Sequence, residues 1–168
     1  MFNLIGTNPT QVIGVLVFTA AALACSGAAR RTSGRAAAVW KALMVLQFVF
    51  VAEVVFGLRH RIHDLVDAML QAQGWYWQRQ PVQQALVLAT AGLAALGLVA
   101  VSRLRHLGQA TSVALVSTFL VGVLFALEMV SLHRIDALMY HRVGPVMLIA
   151  WLWAAGAATV GCCSLRVR

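Results

Sequence analysis

The chain has 168 residues, of which 61% are hydrophobic and 11% charged, with a formal net charge of +8 and a mean hydropathy of +0.84. A water-soluble domain carries about a quarter charged residues, and a globule this small has too much surface to hide such an apolar excess. A soluble fold is therefore excluded, and we expect an all-α integral membrane protein forming a single helical-bundle domain over residues 1–168.

Crossing a hydrocarbon core takes roughly 20 apolar residues. Five stretches are long enough: Gln11–Ala29, Ala37–Leu58, Gln84–Ser102, Thr111–Leu132 and Val146–Val160. All should be helices, because in lipid every backbone polar group has to be satisfied within its own segment. The first lacks a basic leading region, and "ALACSG" sets Leu23 one place too near Cys25 for a lipobox, so it reads as a mature helix rather than a signal peptide. Small residues spaced four apart, Ala20 with Ala24, Ala91 with Ala95 and Ala154 with Ala158, are the expected points of close helix approach.

Arg30, Arg31, Arg35 and Lys41 surround the first connection. The second span carries Glu53 and runs into "HRIH" at 60–63, the start of the one long connection. There Ile62, Leu65, Val66, Met69 and Leu70 form an apolar stripe, and His60, Asp64, Asp67 and Gln71 a polar one. That periodicity predicts an amphipathic helix, either continuing the second span or bending onto the membrane surface, with Gly74 ending it and Pro81 in the first turn of the next helix. Trp75, Tyr76 and Trp77 between them resemble an interfacial aromatic belt.

The third span leads into Arg103, Arg105 and His106, the last read as a solvated loop residue. The fourth carries Glu128 and is followed by "HRID" at 133–136, then by Tyr140, His141 and Arg142. The fifth ends near Cys162 and Cys163, with Arg166 and Arg168 beyond. With five spans, eight of the Lys and Arg residues fall at one end, while Arg59, Arg61, Arg79, Arg134 and Arg142 share the other with every acid in the chain. Those five arginines balance Glu53, Asp64, Asp67, Glu128 and Asp136, so the whole excess of +8 sits at one end. By the positive-inside rule this predicts N-terminus out and C-terminus in, in a plasma membrane of bacterial type, and it removes the nucleic-acid reading of the charge. The cysteines cluster toward the expected inner, reducing side, where they fill helix contacts rather than form disulfides.

The two tetrapeptides align on a shared "HRI", preceded by "FVAE" ending at Glu53 and "FALE" ending at Glu128. Duplication of a helix pair would explain the echo, although Glu53 precedes its histidine by seven residues and Glu128 by five. Both follow outward-going helices, which brings them to one face, each glutamate about one turn, roughly 6–8 Å, inside its helix end. On an unbroken second helix Glu53, His60 and Asp64 would form a line; His133, Asp136 and Tyr140 would form another. If the lines face each other, the outer mouth is a cluster of carboxylates, histidines, arginines and a tyrosine.

A carboxylate inside a span costs several kcal/mol and needs a named partner or a function. Several uses fit. Glu53, His60, His63, Glu128, His133, Asp136 and His141 offer ligands for a divalent metal such as zinc, iron or manganese. Arg59, Arg61, Arg134 and Arg142, with Trp75, Tyr76, Trp77 and Tyr140, suit a polar or anionic ligand such as a lipid headgroup or a quinone. His60 or His133 would then serve as general base, oriented by Asp64 or Asp136. The alternative is an ion-pair lock in an accessory subunit, with Glu53 paired to Arg134 or Arg142 and Glu128 to Arg61 or Arg59, in a larger membrane complex or a homo-oligomer. Proton or ion passage is disfavoured: Gln47, Thr90, Ser117 and Thr118 are the notable polar groups at mid-depth, and they read as interhelical glue.

Overall fold

A computed structural model of the chain describes residues 8–72, 74, 79–103, 105–130 and 137–167. It is a bundle with five helices long and apolar enough to span a membrane. In chain order these are α1 (Pro9–Arg31), α2 (Gly34–Phe56), α4 (Arg79–Ser102), α5 (Gln109–Val130) and α6 (Leu148–Leu165). A shorter helix, α3 (Leu58–Ala72), joins α2 to α4. A 3-10 turn, Arg105–Leu107, precedes α5, and a two-stranded hairpin, β1 (Arg142–Val143) and β2 (Val146–Met147), precedes α6.

α1, α2, α5 and α6 form the core. α1 packs on α2 and α6, and α5 packs on α6 and α2. Four rings meet at its centre: Phe18 lies 5.3 Å from Phe50 and 6.1 Å from Trp153, Phe50 lies 5.2 Å from Phe125, and Phe125 stacks on Trp153 at 5.4 Å. Offset and tilted rings at such spacings each add about 0.5–1.5 kcal/mol beyond simple contact. α4 stands outside this core, held mainly by α5.

Close helix approach uses small residues, but on other faces than the alanine pairs suggest. Ala20, Ala91, Ala95 and Ala158 are exposed, whereas Ala21, Ala22, Cys25, Ala28, Ala150 and Ala157 are buried. The reason is that a membrane helix is apolar all round, so composition does not mark its inner face. Cys25 and Cys163 are buried packing residues, and Cys162 is exposed.

Two breaks depart from the expected helices. Gly57 takes a left-handed conformation (φ 58°, ψ 42°) and ends α2, its N–H bonding to Glu53 O at 2.8 Å. The second span therefore does not run on into the tetrapeptide. Val146, expected to open the last span, is instead in the hairpin, because Gly144 (φ 71°) and Pro145 turn the chain there.

The end of α1 and the end of α6 lie side by side, joined by a hydrogen bond from Arg31 Nη2 to the Ser164 carbonyl at 2.8 Å. Arg30, Arg31, Arg35, Arg103 and Arg166 thus gather at one end of the bundle.

Candidate functional site

The opposite end is assembled from four pieces of chain. Asn8 caps α1, its Oδ1 accepting from Thr10 N at 3.1 Å, with Pro9 in the first turn where its missing N–H costs nothing. Thr10 Oγ1 accepts in turn from Met147 N at 3.2 Å, fastening the hairpin to the start of α1. Leu148 N donates to His141 O at 2.9 Å, and Trp151 Nε1 to Val143 O at 3.1 Å, so the hairpin is tied down on both sides. Gln11 Nε2 reaches across to Val54 O at 3.3 Å. That carbonyl belongs to the last turn of α2, which has no partner within its own helix.

These contacts enclose a cavity of about 150 Å³. Asn8, Thr10, Gln11 and Tyr140 give it a polar rim, and Val54, Ile149 and Trp153 an apolar floor. Gly57 lies at its edge, so the break that ends α2 also shapes the opening. A small cavity with convergent neutral hydrogen-bonding groups over an apolar base suits a carbonyl, hydroxyl or oxyanion head.

The two glutamates stand at similar depth on different faces. Glu53 lies one turn above Phe50 and two above Leu46, on the α2 face turned toward α4 and α5. It is half-buried. Glu128 lies one turn above Phe125 and two above Val121, on the α5 face packed against α6, and is only 5% exposed. The break at Gly57 also means that Glu53 and His60 do not share one helical line.

Of the other expected site residues, Tyr140 is half-buried at the cavity, whereas Arg61, Asp64, His141 and Arg142 are exposed around the same end. The side chains of Arg59, His60 and His63 lie outside the described residues, as do Trp75, Tyr76, Trp77, His133, Arg134 and Asp136. The proposed metal set therefore falls largely outside the described residues, and among those described no group of three His, Cys, Asp or Glu is placed to hold an ion. Asn8, Thr10 and Gln11 were not expected here. Their one sequence signal is "NPT", a helix-start pattern that says nothing of what packs beside it.

The mid-depth polar groups bond between or within helices, although the Gln47 Oε1 is buried without a hydrogen-bond partner. Gln47 Nε2 donates to Thr118 Oγ1 at 3.1 Å, Ser117 Oγ to Gly156 O at 3.0 Å and Thr90 Oγ1 to Leu86 O at 2.8 Å. His106 is exposed, its Nδ1 3.1 Å from Arg103 O.

Comparison of the chain with known protein families, with curated proteins and with solved structures finds no match.

Proposed function

We propose that this is a small polytopic membrane protein whose outer mouth binds the polar or anionic head of a membrane-resident ligand, of lipid-headgroup or quinone type. The observation that carries the reading is the cavity edged by Asn8, Thr10, Gln11 and Tyr140 at the end of the bundle where both membrane-embedded carboxylates lie. Arg61 and Arg142 at the same end supply positive charge for an anionic head. In this reading the mouth faces outward, with the N-terminus outside and the basic end cytoplasmic, in the plasma membrane of a bacterium.

The test is titration of the detergent-purified full chain with two short-chain probes, a one-isoprene ubiquinone and butyl phosphate. Saturable one-to-one binding of either, weakened about tenfold in both Gln11→Ala and Tyr140→Phe, is the expected result. If neither probe saturates, the reading fails.

A second reading keeps support from α4. None of its membrane-spanning stretch is buried within the bundle, which fits an accessory subunit that docks a larger complex through that helix while the mouth serves as an ion-pair lock. It predicts retention of the intact protein in a high-mass complex on mild solubilisation, and loss of that complex when Leu93 and Leu96 are changed to Trp.

A further inference from the structure

A second cavity, about 390 Å³, lies between α2, α4 and α5 within the stretches of those helices long and apolar enough to span a membrane. Its wall on α5 extends from Leu115 to Ala126, which at 1.5 Å per residue is about 17 Å. On α2 it extends from Leu43 to Phe50, and Glu53 stands one turn above Phe50 on the same face. The lining is almost wholly apolar. Thr118 and Thr90 are its polar members, and both hydroxyls are engaged in hydrogen bonds.

We infer that this groove holds a single hydrocarbon chain, the tail of an amphiphile whose head lies at the outer mouth beside Glu53. The inference rests on, and deepens, the reading of the mouth as a headgroup site. Dimensions decide the occupant. Spread over about 17 Å, the volume corresponds to a cross-section of about 23 Å². A polymethylene chain touching its neighbours at about 4 Å fills about 20 Å². A protein helix of about 10 Å diameter is too thick to lie within the groove and would rest across its opening.

The groove is also kept open by its sequence. Gly122 lies in its wall, and a Cβ there would meet only the Phe50 ring, at 3.9 Å. By contrast Gly97, also on the α4–α5 contact, is filled by the Phe119 ring. The outer end has a polar bridge: α3 starts at the top of α2, packs on α5 and leads into α4, with Arg61 and Asp64 exposed on it. A chain in the groove therefore runs from mid-bilayer toward charged groups, the arrangement that suits one headgroup and one tail.

The test uses the full chain in nanodiscs and hexadecyl phosphate carrying a mid-chain diazirine, with adducts mapped by mass spectrometry. Adducts should concentrate on the Leu115–Ala126 and Leu43–Phe50 walls and be competed by unlabelled hexadecyl phosphate. Gly122→Leu, which fills the groove, should lower them at least tenfold, as should Ala94→Leu in the facing wall. Gly92→Leu, in open space on α4, should label as the native chain does. Melting temperatures of all three variants separate plugging from misfolding. Adducts spread over the exposed Leu88, Leu96 and Val99 without competition would mark ordinary surrounding lipid and overturn the inference. Butyl phosphate binding with no groove adducts would overturn it while leaving the mouth reading intact. Competed groove adducts with no binding of either butyl phosphate or the short-chain ubiquinone would sustain the tail site and defeat the mouth reading.

Discussion

Gln47 and Thr118 form a hydrogen-bonded pair at the centre of the bundle, Nε2 to Oγ1 at 3.1 Å, linking α2 to α5 where the two residues are 1% and 3% exposed. A pair in this setting is held by the absence of alternatives, since both side chains are almost wholly buried and hydrocarbon offers no hydrogen bond. Thr118→Val leaves the Gln47 amide without its acceptor and should destabilise by about 1–2 kcal/mol. The double variant Gln47→Leu with Thr118→Val should recover most of that, because removing both partners leaves nothing unsatisfied. Equilibrium unfolding in mixed micelles measures both. A double variant no more stable than Thr118→Val would show that the pair matters for shape rather than for its hydrogen bond.

Gly156 sets the spacing of α5 and α6. A methyl group there would overlap the buried Val121 side chain, which is β-branched and has few other rotamers. Gly156→Ala should cost about 1–3 kcal/mol, and Val121→Ala in the same chain should restore part of the loss. Gly122→Ala, with only an ordinary contact to Phe50, should be near neutral. Thermal unfolding of the three variants distinguishes close packing from a general intolerance of change in α5 and α6.

How much of this could be read from sequence follows from what each signal reports. The five spans were legible because length and hydropathy are what the bilayer selects, and their ends fell within a few residues. The amphipathic α3 was legible because Ile62, Leu65 and Met69 alternate with polar residues at helical spacing, and all three are exposed as a stripe. The inner faces were not legible. Lipid is as apolar as a helix contact, so Ala20 and Ala21 look alike in sequence, yet the first is exposed and the second buried. The break at Gly57 had only a lone glycine as its signal, and reading through it aligned Glu53 with His60 on a helix that does not continue. The cavity was hidden because Asn8 and Gln11 come from the far end of the sequence, 132 and 129 positions from Tyr140.

Arg31 ties the basic ends of α1 and α6 together through the Ser164 carbonyl, at 2.8 Å. That carbonyl lies at the last turn of α6, where a donor is lacking and the helix dipole is negative. Arg31→Ala should therefore lower stability by about 1–2 kcal/mol, and Arg31→Gln, which keeps a donor without the charge, should fall between. Equal losses in both variants would assign the effect to charge alone.

The proposed orientation makes a simple accessibility demand. A cysteine at the exposed His141 position should react with a membrane-impermeant maleimide in intact cells. One at the exposed Arg103 position should react only after the membrane is opened. The reverse pattern would place the polar mouth in the cytoplasm.

The most direct test of the mouth as a ligand site is native mass spectrometry of the gently purified protein beside its Glu53→Gln, Glu128→Gln double variant. We expect a defined amphiphile retained at about one per native chain and lost from the double variant, with the melting temperature changed by no more than a few degrees. A native chain that carries no ligand, with a double variant destabilised on the scale of a broken buried ion pair, about 3–5 kcal/mol, would contradict it. The two carboxylates would then act as a lock that holds the bundle together.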